Sequence, residues 1–105
     1  MEAKPSRPNL QIYELEFHVS AWREWQKLDG SVKQVFKKQL AQRLKNPHVP
    51  ASLLGGELHH TYKIKLRKAG YRLVYEVIDQ RMVVLVIAVG KRADFQIYLR
   101  AATRR

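Results

Sequence analysis

The stretch MVVLVIAV, residues 82–89, is apolar at every position. It shows no two-residue alternation, so it has no face to give to water. A strand of this kind belongs in the middle of a sheet, with a covering layer on each side. Two further strand candidates precede it, at residues 62–67 and 71–78. The connections between the three are short, which requires neighbours to pair antiparallel. A chain of 105 residues has room for one small domain built around such a strand.

The covering layers must come from the rest of the chain. In IYELEF, residues 12–17, Ile12, Glu14 and Glu16 alternate with Tyr13, Leu15 and Phe17, which predicts a strand with one buried face. Ser20 is an N-cap candidate ahead of AWREWQKLDG, where Trp22, Trp25 and Leu28 form a helical stripe and Gly30 supplies a stop. Ser31 opens a second helix, and Gln34 completes a capping-box pattern. Val32, Val35, Phe36, Leu40 and Leu44 then follow at helical spacing, while Lys33, Lys37, Lys38 and Arg43 cover the remainder. Asn46-Pro47 ends it. With almost no linker between them, the two helices are expected to form a hairpin. Residues 47–60 read as a loop punctuated by proline and glycine, and residues 94–104 as a weak helix. Residues 1–10 carry two prolines and little apolar surface, and are expected to form a flexible tail ahead of one domain at 11–105. The expected class is α+β: a small antiparallel sheet, two N-terminal helices packed as a hairpin, and a short C-terminal helix.

The first strand pair carries a second pattern. In TYKIKLRKAGYRLVY, residues 61–75, Tyr62, Ile64 and Leu66 alternate with Lys63, Lys65 and Arg67. Tyr71, Leu73, Tyr75 and Val77 give the next strand its apolar face. For the two apolar faces to join, Ile64 must lie on the same side as Leu73, because side chains alternate with period two. A two-residue turn at Lys68-Ala69 sets Leu66 opposite Tyr71, Ile64 opposite Leu73 and Lys65 opposite Arg72, and a longer turn slides the register by two without changing the parity. Lys63, Lys65, Arg67 and Arg72 therefore share one side. Like charges directly opposite each other destabilise a sheet, so folding alone would not choose Lys65 beside Arg72. A bound anion would relieve the conflict. The plain alternative is a solvated outer face whose repulsion is screened.

The net charge is where composition matters. Twenty Lys and Arg stand against nine Asp and Glu, a formal +11. That excess favours a polyanion as partner: nucleic acid, an anionic membrane surface or an acidic protein. Nucleic acid stands ahead, and the membrane is disfavoured because the amphipathic helix at 32–45 needs its apolar side for the core. There is no cysteine, which excludes disulfides and thiolate zinc sites. No apolar run has the length of a membrane span and the N-terminus lacks a signal-peptide core, so the expected location is the cytoplasm.

The blocks YKIKLRKAGYRLVYEVID and VVLVIAVGKR, with Tyr98 following, resemble the RelE-type toxins of bacterial toxin–antitoxin pairs, in order from about Ile12 to the C-terminus. The resemblance implies a compact antiparallel sheet flanked by two N-terminal helices. It implies an endoribonuclease that cuts mRNA in the A site of the 70S ribosome and stops translation. A cognate RelB-like antitoxin is implied as partner, and neither metal nor cofactor. Toxins of this branch use the RNA's own 2′-hydroxyl as nucleophile. The family's functional positions fall on Lys63, Lys65, Arg72, Arg92 and Tyr98, all with the family's residue type, and Arg67 matches a basic position near them. Lys68 and Lys91 are further expected RNA contacts, as are Lys37 and Lys38 on the basic helix, whose alternative is a solvated face.

Attack by a 2′-hydroxyl requires loss of its proton, neutralisation of a crowded phosphorane and stabilisation of the departing 5′-oxygen. Arg72 and Arg92 can donate to phosphate oxygens through planar forks, and Tyr98 can stack on a base or steer a hydroxyl. Free lysine titrates near about 10.4, but crowding by Lys63, Arg67 and Arg72 should lower Lys65 and make it the base or proton relay, with Lys63 helping. Arg92 is assigned charge stabilisation at the leaving oxygen. His59 and His60 are expected in the lead-in to the strand rather than in catalysis, and the histidine spacing makes no metal site. Tyr62, Tyr71 and Tyr75 are expected in the core. Trp22 and Trp25 are expected to pack the helices. Two rivals stand: a ParE-like toxin of DNA gyrase, and a non-catalytic RNA-binding module.

Overall fold

A computed structural model of the chain describes residues 12–91 and 96–104. The expected tail, residues 1–10, lies outside the described residues, as does Arg92. The element order is β1 (Glu14–Phe17), α1 (Val19–Gln26), α2 (Gly30–Lys45), β2 (Thr61–Leu66), β3 (Tyr71–Ile78), β4 (Val83–Lys91) and α3 (Gln96–Arg104). The four strands form one sheet in the order β1-β4-β3-β2. The all-apolar run is thus an interior strand, and Val84, Val86, Ile87 and Ala88 are fully buried.

β2, β3 and β4 pair antiparallel, as their short connections require, while β1 joins β4 in parallel and makes the sheet mixed. β4 carries one irregularity: Val74 faces Ala88 but Tyr75 faces Val86, so Ile87 is an extra residue. A bulge of this kind lets two successive side chains take the same side. Ile87 and Ala88 both join the core under α3, while Val86 and Val89 join the core under α1 and α2.

α1 and α2 lie on one face of the sheet and meet where the Trp25 and Phe36 rings approach at 6.0 Å. Val32, Phe36 and Leu40 form the buried stripe of α2. Val35, expected in that stripe, is 44% exposed, because the buried band is only one residue wide there. Both helix starts differ from expectation. His18 stays extended and its Nδ1 accepts from Ser20 N, so His18 is the cap and Ser20 lies inside the first turn. Asp29 likewise caps α2: Lys33 N donates to Asp29 O, which places Gly30 and Ser31 inside the helix and leaves the Ser31–Gln34 box unformed. Gly30 therefore begins a helix rather than ending one. Leu15 remains 38% exposed on the short edge strand, and Trp22 is 46% exposed, edge-on to Phe17.

α3 covers the other face through Ile97 and Ala101. It is held by Glu24 of α1, which accepts from Arg104 at 2.9 and 3.0 Å and pairs with Arg100 at 3.0 Å. The second Glu24 task is to accept Val89 N of β4 at 3.1 Å. Burial pushes the Glu24 carboxyl up, but the Arg104 hydrogen bond, Val89 N–H and the two arginine charges outweigh it and hold the group below its ordinary value. Among the described residues no helix is long and apolar enough to cross a membrane.

Candidate nucleic-acid site

The β2–β3 pairing has the parity the apolar pattern requires, in the register expected for a turn at Lys68-Ala69. Ile64 faces Leu73, Lys65 faces Arg72 and Leu66 faces Tyr71. The connection is a four-residue loop, Arg67 to Gly70, closed by Gly70 N donating to Leu66 O at 2.7 Å. Gly70 has φ +72, a conformation that favours glycine. Ile64, Leu66 and Leu73 are buried against the α1–α2 layer. By alternation, Lys63, Lys65 and Arg72 share the opposite side with Val74, next to α3.

α3 shields β3 and β4 but leaves the outer strand β2 uncovered. Lys65 is exposed, while Lys63 and Arg72 are half-buried. Arg72 sits between Lys65 on one neighbour and Gly90 on the other. Its Nη1 donates to the Tyr98 hydroxyl at 3.2 Å, and its guanidinium lies 5.8 Å from the Tyr98 ring centroid. Arg72 Nε is buried and meets no acceptor among the described residues. A buried charged donor without a partner is costly, and a phosphate oxygen would complete it.

The same crowding sets the proton affinity of Lys65. The charge of Lys63 lowers its pKa most, followed by that of Arg72, some loss of hydration and the charge of Arg67. A lysine held this way is neutral at lower pH than a free one.

Lys63, Lys65, Arg72 and Tyr98 are thus brought together, with Arg67 and Lys68 exposed in the adjoining loop. Lys91 ends β4 opposite Tyr71, which places it on the α1–α2 side by alternation. Lys37 and Lys38 are exposed on α2, in the layer beyond the sheet from Lys65. His59 and His60 are exposed ahead of β2, with rings 4.8 Å apart. Tyr62 and Tyr75 are core residues and Tyr71 packs against them.

Two charged residues gain importance from the fold. Glu24 fixes α3, and with it Tyr98. It occupies the same face of α1 as Ala21, Trp25 and Leu28, and an acid on a core-facing stripe was the available signal. Arg43, expected on the solvated side of α2, is half-buried instead. Its spacing from Phe36 and Leu40 places it on the inward face. Its Nη1 donates to the Tyr75 hydroxyl at 2.8 Å and to Lys63 O at 3.4 Å, and its Nη2 to Ser52 Oγ at 3.2 Å.

The sequence profile described as ParE toxin of type II toxin-antitoxin system, parDE, matches residues 15–94. The mRNA interferase toxin RelE of Escherichia coli strain K12 is 47% identical over 92 residues, 88% of this chain and 96% of that protein. A putative RelE-like toxin protein of Escherichia coli is 46% identical with the same coverage. The structure of a mutant E. coli toxin RelE in the free state superposes with a TM-score of 0.81 at 45% identity, covering 89% of this chain and 97% of that one. RelE in the intact E. coli RelBE toxin-antitoxin complex gives 0.73 at 49% identity, covering 75% and 95%. The profile match and the extent of these identities establish that this chain belongs to the RelE/ParE family of type II toxins.

Proposed function

We propose that the chain is a ribosome-dependent mRNA endoribonuclease toxin that cleaves mRNA in the ribosomal A site and so stops translation. The observation that carries this reading is the register-locked cluster of Lys63, Lys65, Arg72 and Tyr98, with Lys65 lowered in pKa by its neighbours. It stands in a chain nearly half identical to a protein named an mRNA interferase.

In this mechanism Lys65 accepts the proton of the 2′-hydroxyl, directly or as a relay, with Lys63 assisting. The 2′-oxygen attacks the adjacent phosphorus and the bond from phosphorus to the 5′-oxygen breaks. Arg72 and Lys63 neutralise the charge that builds on the phosphorane oxygens. Arg92 stabilises the departing 5′-oxygen, and Tyr98 stacks on a base or orients the sugar to bring the attack in line. The departing 5′-oxygen takes a proton from solvent, so the products are a 2′,3′-cyclic phosphate and a 5′-hydroxyl, reached without a metal. The chain works in the cytoplasm, where its substrate is, and a RelB-like antitoxin neutralises it, as the solved E. coli RelBE complexes suggest by analogy. Arg67, Lys68, Lys91, Lys37 and Lys38 are proposed contacts to RNA, with the two α2 lysines directed at ribosomal RNA.

The test is incubation of the purified chain with programmed ribosomes carrying mRNA in an empty A site, beside the same mRNA free in solution. A cut within the A-site codon, resistant to chelator and lost in Lys65→Ala or Arg92→Ala, is expected. No cut in either sample by folded protein would move the assignment to a gyrase target, which the ParE name of the matching profile keeps in view, or to a plain binding module.

A further inference from the structure

The outer edge of β2 carries a feature that the reaction outlined above uses only in part. A cleft of about 320 Å³ lies there, lined by Arg43, Ala51, Ser52, Lys63, Lys65 and Arg67. Four of the six are cationic and one is a hydroxyl. No acid lines it. Its volume is on the scale of one nucleotide's sugar and phosphate, and two of its walls, Lys63 and Lys65, belong to the cationic face itself.

Arg43 is the unusual member. It comes from α2, on the other side of the sheet, and reaches round the β2 edge. Three neutral acceptors hold it: the Tyr75 hydroxyl, the Lys63 carbonyl and Ser52 Oγ. The Tyr75 ring centroid is 5.7 Å from its guanidinium carbon. The Tyr75 hydroxyl is itself fixed by donating to Pro47 O at 2.8 Å. Ser52 is placed by the loop that lines the edge, where Leu53 bridges to Tyr62 and Leu54 N donates to Thr61 O. No carboxylate pairs with Arg43 among the described residues. A guanidinium has five donors, of which the three bonds above occupy three, and the side chain lines the cleft. The result is an oriented and uncompensated positive charge, the arrangement that binds phosphate.

We propose that Arg43 and Ser52 form a second phosphate clamp, which holds the RNA backbone one nucleotide away from the phosphate presented to Lys65 and Arg72. The clamp rests on the ribonuclease reading and adds to it a fixed path for the strand around the β2 edge. Two anchored phosphates on either side of a ribose limit its rotation, which favours in-line attack.

The experiment measures association of the chain with programmed ribosomes at several salt concentrations, and single-turnover cleavage on the same samples. Arg43→Gln should raise the half-saturating concentration about tenfold and reduce the salt slope by about one. The larger part of the loss should fall in half-saturation rather than in the rate at saturation. Ser52→Ala should act in the same direction and more weakly. Because Arg43→Gln also removes bonds to Tyr75, a second arm uses the unchanged chain with mRNA bearing a single neutral methylphosphonate at each phosphate around the cut. One neighbouring position should reproduce the Arg43→Gln loss, and the two changes together should cost no more than one alone. Parent-like association at every salt concentration, or equal tolerance of methylphosphonates at all flanking positions, would overturn the clamp. So would a loss of antitoxin affinity with ribosome association intact, which would assign the cleft to a protein contact. A parent chain that binds ribosomes without cutting would overturn the ribonuclease reading alone, since the salt slope still decides the clamp.

Discussion

The two sides of strands β2 and β3 obey different rules. On the side toward α1 and α2, Ile64, Leu66, Leu73, Tyr75 and Val77 interlock with Trp25, Phe36 and Leu40, and all are buried. Each pairing there helps the fold. On the side toward α3, Lys65 lies directly opposite Arg72, with Lys63 on the same strand two residues away. Those pairings oppose the fold, and the lowered pKa of Lys65 registers the repulsion. One backbone register thus serves two ends: alternation locks the apolar side, and the locked register places the cations with the same precision. The difference teaches that the cationic face is held by the other face rather than by itself.

The largest effect should separate the two sides by activity. Lys65→Ala and Arg72→Ala should each slow single-turnover cleavage about 10²–10⁴-fold without lowering the thermal unfolding midpoint. A marked fall in the midpoint would show that the cations stabilise the fold and would break the contrast. The complementary change is Phe36→Ala. It should destabilise the domain by about 3–5 kcal/mol in denaturant titration, while the protein that remains folded cleaves normally.

A smaller effect concerns the helix that carries Tyr98. Glu24→Gln should cost about 1–3 kcal/mol, because Arg104 loses its charged partner. The folded-state pKa of Glu24 is lowered, so its contribution is present above the unfolded carboxyl value of about 4.3 and is lost as pH falls through the folded value. Thermal melts across acid pH should show this loss in the parent and not in Glu24→Gln. The smallest effect is in the pH–rate profile. Cleavage should rise with pH and level off below the free-lysine range, because the neutral form of Lys65 appears early. Lys63→Ala removes the largest cause of that shift and should move the plateau to higher pH. An unmoved plateau would remove Lys65 as the proton acceptor.

Much of this contrast was legible in the residues. Alternation in β2 and β3 fixed which side each cation takes, and the unbroken run in β4 placed it inside the sheet. The parallel pairing of β1 with β4 was not legible, since strands so distant in the chain leave no local turn signal. Nor was the bulge at Ile87: where every residue is apolar, periodicity cannot report a slip of one position. Asp29 and His18 displaced the expected caps because each holds an extended backbone immediately before its helix. Among site residues, Lys63, Lys65, Arg72 and Tyr98 were named from the sequence, and they converge. Arg43 was assigned to the solvated side because its charge outweighed its spacing. Positions 36, 40 and 43 share a helical face, and a cation there was the clue.

The most direct test of the central claim changes one oxygen of the substrate. Programmed ribosomes would carry mRNA with a single 2′-deoxynucleotide at the mapped cleavage position, and single-turnover cleavage would be compared with the all-ribose message. The account predicts that the parent message is cut to a 2′,3′-cyclic phosphate and that the deoxy message is not cut at that bond. Cleavage through the deoxy position at the parent rate would contradict attack by the 2′-hydroxyl, and with it the role of Lys65 as proton acceptor.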